Sequence, residues 1–307
     1  MKSDLYNIIN NYKANIFIIV LLPFVIALHL FLSTMPSTVE FFYSQKLFYI
    51  IASILSFLFN IFPFSVFEVI IIILFCTIIF YPIYTISKIL LKPENIIEIL
   101  MVFILKSMSF FSIIYFLFIF LWGLNYNRMP LSDTLNLNTE PASVIELESL
   151  CKNLLEKTLM LRERVKEDSS GVMIFDGDLE SMINQTPLGY KNLSEQHKIF
   201  LGKYSTPKKM YLLSYIMSLT TTSGIYSPIT GEANINIYPP LIFAPMTICH
   251  EIAHQIGFAR EDEASFIGYL ACKYHPNINY QYSGYLSVLT QAMNQLYKYD
   301  KTKFYDL

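Results

Sequence analysis

Nearly all the long apolar runs of this chain precede residue 127, and most of its charge follows residue 138. Ala14 to Leu32, Val69 to Ile86 and Ser107 to Tyr126 are each apolar and long enough to cross a bilayer as a helix. Leu47 to Phe62 is also uncharged, but Tyr49, Ser53, Ser56 and Asn60 recur at helical spacing and make one polar stripe. Asn60 and Pro63 then cut it short. That pattern predicts a helix lying in the membrane interface or packed on the bundle, not a span. Pro130, Ser132, Asp133 and several Asn then mark a linker. The organisation expected is an anchor over 1–127, a linker over 128–140 and a second domain over 141–307.

The second half alternates helical and strand-like patterns. Pro141 to Asp168 carries Val144, Leu147, Leu150, Leu154, Leu155 and Leu159 as an apolar stripe against a solvated face of Glu and Lys. Leu193 to Phe200 reads as a short helix with His197 at the surface. Lys209 to Thr220 mixes β-branched and aromatic residues and predicts a strand, as does the alternation in Glu232 to Tyr238. Thr247 to Gly257, Glu261 to Lys273 and Tyr280 to Lys301 all have helical spacing. The expected architecture is a helical anchor of three transmembrane helices plus an interfacial helix, followed by an α+β domain.

Charge sets the orientation. Three spans with the N-terminus inside place Lys2, Lys13, Lys88 and Lys92 in the cytoplasm and leave Lys46 and Arg128 outside. The positive-inside rule favours that arrangement, which puts the C-terminal half on the extracytoplasmic side. No small-x-small cleavage site follows the first run, so an uncleaved anchor is expected. Trp122 and Tyr126 would sit as interfacial anchors. The net charge of −2, with no basic stripe, argues against a nucleic-acid partner. The four Cys form no C-x-x-C; Cys249 and Cys272 are either buried thiols or a disulfide, and spacing does not decide.

The chemistry lies in Thr247 to Ala264, which contains H-E-x-x-H. Positions i and i+4 share a helix face, so His250 and His254 can both point at one cation. Imidazole suits zinc, and three protein ligands leave a position for water. Zinc lowers that water's pKa toward neutrality, and Glu251 beside it can take the proton. Arg260 occupies the place of a metzincin's third His, which excludes that class. Glu261 and Glu263 follow the Gly257 turn and open the next helix, so either carboxylate can return to the metal. Arg260, Tyr282 and Tyr285 are candidates to stabilise an oxyanion. A strand over Glu232 to Tyr238, if at a sheet edge, can receive an extended peptide.

The run Glu261-Asp262-Glu263-Ala264-Ser265 resembles the E-x-x-A-[DNS] segment of gluzincin-type metallopeptidases, which implies Glu261 as the third ligand. Ser265 stands where many relatives have Asp or Asn. More widely, Gly224 to Asn234, His250 to Cys272, Tyr282 to Tyr285 and Trp122 to Tyr126 resemble a family of bacterial membrane-anchored, zincin-like proteins of unassigned function. The expectation is a zinc metallopeptidase of the bacterial cytoplasmic membrane, with Zn2+ on His250, His254 and Glu261 and Glu251 as general base. Its expected partners are a protein or peptide substrate and the lipid bilayer; its oligomeric state is open. Two rivals stand beside it: a non-catalytic zinc-binding domain acting as receptor or assembly factor, and an intramembrane protease. The second is disfavoured by the motif's distance from the last span and its charged flank.

Overall fold

A computed structural model describes residues 10–175 and 177–307; the expected flank at Lys2 lies outside them. The chain forms two compact units. Among the described residues, one contains those up to Phe48 together with Val66–Arg128, and the other Tyr49–Ser65 together with those from Met129 to Leu307.

The first unit is built from long apolar helices: α1 (Lys13–Ser33), the start of α2 (Pro36–Phe59), α3 (Val66–Leu91) and α4 (Ile96–Leu121). All four are long and apolar enough to cross a membrane, α4 together with the short turn of 3-10 helix that precedes it. The helix expected over Leu47 to Phe62 is thus longer than its pattern, and by length and composition it is a fourth candidate span. Glu40 and Lys46 conceal its first half in the sequence. The fold accommodates Glu40 by burying it against Arg128, whose Nε and Nη2 donate at 2.8 and 2.7 Å. This planar two-point pairing suits guanidinium and carboxylate. Tyr43 Oη donates to the Phe120 carbonyl at 2.8 Å, so π-helical Val39–Leu47 lies beside the C-terminal end of α4 and the following Gly123–Asn127 turn. His29 Nδ1 is 3.1 Å from Tyr115 Oη, a packing role for that histidine.

The second unit is mostly helical, with one small three-stranded sheet where an α+β domain was expected. The stretch expected to be a linker contributes to it. Pro130 turns the chain into α5 (Leu131–Leu135), and Leu131 is only 2 % exposed in the core. Then come α6 (Val144–Arg162), α7 (Leu179–Gln185) and α8 (Pro187–Gln196). In α6 the buried positions are Cys151, Leu154, Thr158 and Leu161, while Leu150 and Leu159 of the expected stripe are exposed.

The strand expected over Lys209 to Thr220 shrinks to β1 (Lys208–Met210), and Ser214–Leu219 is a helix, α9. Its buried residues, Ser214 and Met217, are three apart, which is a helical period. Strands β2 (Gly224–Tyr226) and β3 (Ala233–Asn236) complete the sheet in the order β1-β3-β2, with β1 parallel and β2 antiparallel to β3. The expected edge strand is therefore the central one, and β1 and β2 form the two edges.

Three more helices finish the core: α10 (Ala244–Gln255), α11 (Glu261–Lys273) and α12 (Ile278–Tyr299), followed by the short α13 (Lys301–Tyr305). Ile248, Ile252 and Ala253 of α10 are fully buried among α11, α12 and the sheet. Gly257 ends α10 at φ +95°. Its N–H donates to His254 O and the N–H of Phe258 to Ala253 O, the paired bonds of a glycine C-cap.

Tyr49–Ser65 is stitched into this unit by polar contacts. Ser65 Oγ donates to Asn234 Oδ1 at 2.6 Å, Lys208 Nζ to the Phe62 carbonyl at 2.7 Å, and the N–H of Thr206 to Asn60 Oδ1 at 3.2 Å.

Candidate metal centre

The apolar face of α10 is locked in the core, which fixes the direction of its polar residues. His250 and His254 project together, with their Nε2 atoms 3.1 Å apart. The Gly257 turn reverses the chain, and α11 returns against α10 so closely that a Cβ on Gly268 would lie 3.0 Å from the backbone nitrogen of His250. Glu261, the first residue of α11, reaches His250 Nε2 at 3.2 Å and His254 Nε2 at 3.5 Å. These three side chains each offer one ligand atom within 4.8 Å of the others, a set that can hold a metal ion. Two imidazoles and one carboxylate are a donor set suited to zinc.

The opposite ring nitrogens are also engaged. His254 Nδ1 is 2.7 Å from the Phe258 carbonyl, which only accepts; Nδ1 therefore carries a proton, and Nε2 is the atom left to ligate a metal. His250 Nδ1 is 3.3 Å from Ser265 Oγ. Glu263 is engaged elsewhere, accepting from the Leu131 N–H at 2.7 Å and from Arg260 at 3.1 Å. Of the two carboxylates left open by the sequence, the fold brings Glu261 to the histidines.

Glu251 is 4 % exposed, and its Oε2 has no hydrogen-bond partner. Burial pushes its pKa up to about 8, against the pull of His254 and aided by the charge of Glu261. An orphaned carboxylate oxygen beside a three-donor cluster is what a metal-and-water site leaves when only the protein is considered. Burial, reinforced by His254, carries His250 down to about 4, so its imidazole is held neutral, the form a metal needs.

Strand β2 forms the wall over Glu251. A Cβ on Gly224 would lie 2.5 Å from Glu251 Oε1, so only glycine allows this approach. Tyr226 is buried with its ring 6.3 Å from that of His254. In the sequence these two residues carried only the wider family resemblance, because their role depends on a long-range approach.

The three oxyanion candidates are engaged elsewhere. Arg260 pairs with Glu263, Tyr282 lies buried beside the Arg162 guanidinium, and Tyr285 packs edge-on against Tyr269. His197 is exposed, whereas His275 is buried, stacked on Tyr280 at 3.7 Å. Cys249 and Cys272 are buried free thiols, and burial raises the Cys272 thiol well above its ordinary range.

A family model described as "Protein of unknown function (DUF3810)" matches residues 43–307. The chain belongs to this family. No curated protein and no solved structure matches it. The DUF3810 match takes in the H-E-x-x-H helix, Glu261, the β2 wall and the helices α3 and α4. Its description names neither a zincin fold nor a peptidase, so the chemistry of this DUF3810 chain is argued from its own residues.

Proposed function

We propose that the chain is a membrane-anchored, zinc-dependent metallopeptidase with His250, His254 and Glu261 as metal ligands and Glu251 as general base. One observation carries the reading: the Nε2 atoms of His250 and His254 and the Glu261 carboxylate converge beside a buried Glu251 with an oxygen left unpartnered. When bound, zinc would supply Lewis acidity and bring the pKa of a water toward neutrality. Glu251 takes the proton of the attacking water and delivers it to the leaving amine. In the antiparallel pairing with β3, the bonds Asn236 N–H to Ser223 O and Ser227 N–H to Glu232 O set the alternation. Gly224 and Tyr226 therefore direct their main-chain groups away from β3, and an extended peptide adds along that edge.

The test uses the full chain in lipid nanodiscs. Wild type should hold close to one zinc per chain, and Glu261→Ala should lose it. Glu251→Gln should keep zinc and lose roughly 10²- to 10⁴-fold in hydrolysis of a peptide that wild type cuts. Full activity in Glu251→Gln sinks the mechanism. Zinc bound by a wild type that cuts no member of a peptide library moves the reading to a non-catalytic receptor.

We further propose three crossings, by α1, α3 and α4, with the N-terminus and the α3–α4 turn in the cytoplasm of a bacterium. Support comes from both ends of α2. Its first half lies beside Phe120 to Arg128, where α4 hands the chain on to Met129. The residues just after it, Asn60 to Ser65, are bonded to β1, β3 and the Thr206 backbone. This reading keeps both ends of α2 on one side of the bilayer, with the helix not crossing. In this arrangement Lys13, Lys88 and Lys92 lie inside, as the positive-inside rule favours, and the metal centre faces the extracytoplasmic side.

A further inference from the structure

Between Lys209 and Glu232 the chain carries no charged side chain. In a domain surrounded by water, such a stretch belongs in the core, yet several of its large apolar members point outward. Leu212, Tyr215, Ile216 and Leu219 are 69, 63, 56 and 69 % exposed. Their spacing, i, i+3, i+4 and i+7, is that of one helix face. The opposite, inward face is the one holding the polar anchor: Ser214 is buried, donates to the Met210 carbonyl at 2.6 Å and accepts the Ile237 N–H at 3.2 Å. Asn236 Nδ2 adds a bond to Ser218 Oγ at 2.9 Å. The helix α9 is therefore pinned to the sheet with its hydrophobic face turned out. Tyr238 and Leu241, on the segment leaving β3, extend the exposed apolar surface, and the Tyr215 and Tyr238 rings meet edge-on.

We propose that this face, centred on Tyr215 and Ile216, docks into the interfacial layer of the lipid bilayer that anchors the protein. Two observations select lipid over another occupant. The first is continuity with the membrane-linked part of the same unit. Lys208, at the start of the strand that leads into α9, donates to Phe62, four residues before Val66 opens a candidate span, and Phe57 and Ile61 beside that point are 74 and 71 % exposed. The second is composition. The segment combines tyrosines with leucine and isoleucine and lacks charge, as fits a surface resting at headgroup level.

Docking stands apart from the metallopeptidase reading. Resting on that reading, it also narrows the substrate. Gly224 of the edge strand lies five residues beyond Leu219, a reach of at most about 3.5 Å per residue. The site then acts on polypeptide segments held close to the membrane surface.

The experiment uses the full chain in liposomes. Ile216→Cys, in a Cys76→Ser background, is labelled with an environment-sensitive nitrobenzoxadiazole probe; the other cysteines are buried. Ile145→Cys, at an exposed position on α6, is the reference, and Leu219→Cys serves if the first variant does not fold. The probe at 216 or 219 should emit at shorter wavelength than at 145 and be quenched several-fold more by spin-labelled lipid. Quenching by an aqueous reagent instead, or shielding from both quenchers as under a protein partner or a second copy, overturns the proposal. Peptidase activity does not enter this readout.

Discussion

Ser265 presents a hydroxyl 3.3 Å from His250 Nδ1. Partners of this kind fix the ring and its tautomer. Ser265→Ala should weaken zinc binding by about 10- to 100-fold, measured by competition with a chromophoric chelator, and Ser265→Asp should restore it. Gly224 tests the other wall of the site. In Gly224→Ala the new methyl meets Glu251 Oε1 at 2.5 Å, so either the strand or the carboxylate must move. Zinc content should stay at the wild-type value while hydrolysis drops at least about tenfold, because misplacing a reacting group by an ångström is that costly. The histidines and Glu251 were legible in the sequence because a helix dictates which of its own positions share a face. The choice of Glu261 over Glu263 needed the family resemblance, and geometry shows why: Glu263 is turned toward Leu131 and Arg260. Gly224 was not legible as a site residue, since nothing local says which strand will lie over the helix.

Elements differ in how much they declare. The helices α10, α11 and α12 were readable because their apolar period continues into the core. The helix α9 misled because its β-branched and aromatic residues suggested a strand, whereas the buried period belongs to Ser214 and Met217. The first half of α2 was hidden by Glu40, whose charge is answered by Arg128, a residue far away in sequence. Asn234 links two elements: it accepts from Ser65 and donates to the Ile225 carbonyl of β2 at 3.2 Å. Asn234→Ala leaves buried groups unpaired and should cost about 1–3 kcal/mol, seen as a lower Tm of the nanodisc-held protein. At the far end, Lys152 and Lys303 hydrogen-bond Glu148 and hold its pKa down to about 2, tying α6 to α13. Because the folded value lies below the ordinary one near ~4.3, this contact stabilises above that pH. It is lost as pH falls toward 2. Glu148→Gln should flatten that part of the stability–pH curve, and an unchanged curve would remove the pair from the account.

At the scale of the whole molecule, apolar runs and lysine positions made the membrane half legible, but not where the second unit begins. Three crossings predict that Asn95→Cys, in the α3–α4 turn, reacts with a membrane-impermeant maleimide only after the inner face is opened. Asn138→Cys should react in intact cells. The reverse pattern, with Asn95→Cys reactive in intact cells and Asn138→Cys reactive only once the inner face is opened, would require α2 to cross. The positions of the chain breaks between the units, after Phe48, Ser65 and Arg128, have a biological consequence. Cleavage at the junction after Arg128 would normally free the C-terminal part of such a chain from the apolar helices before it. Here the released piece would still grip Ser65 and Phe62 through Asn234 and Lys208, and pulling it away would strip the sheet of its neighbours. The protein is therefore built to resist shedding. One nick leaves the second unit tied, through the Tyr49–Ser65 segment, to the rest of the chain.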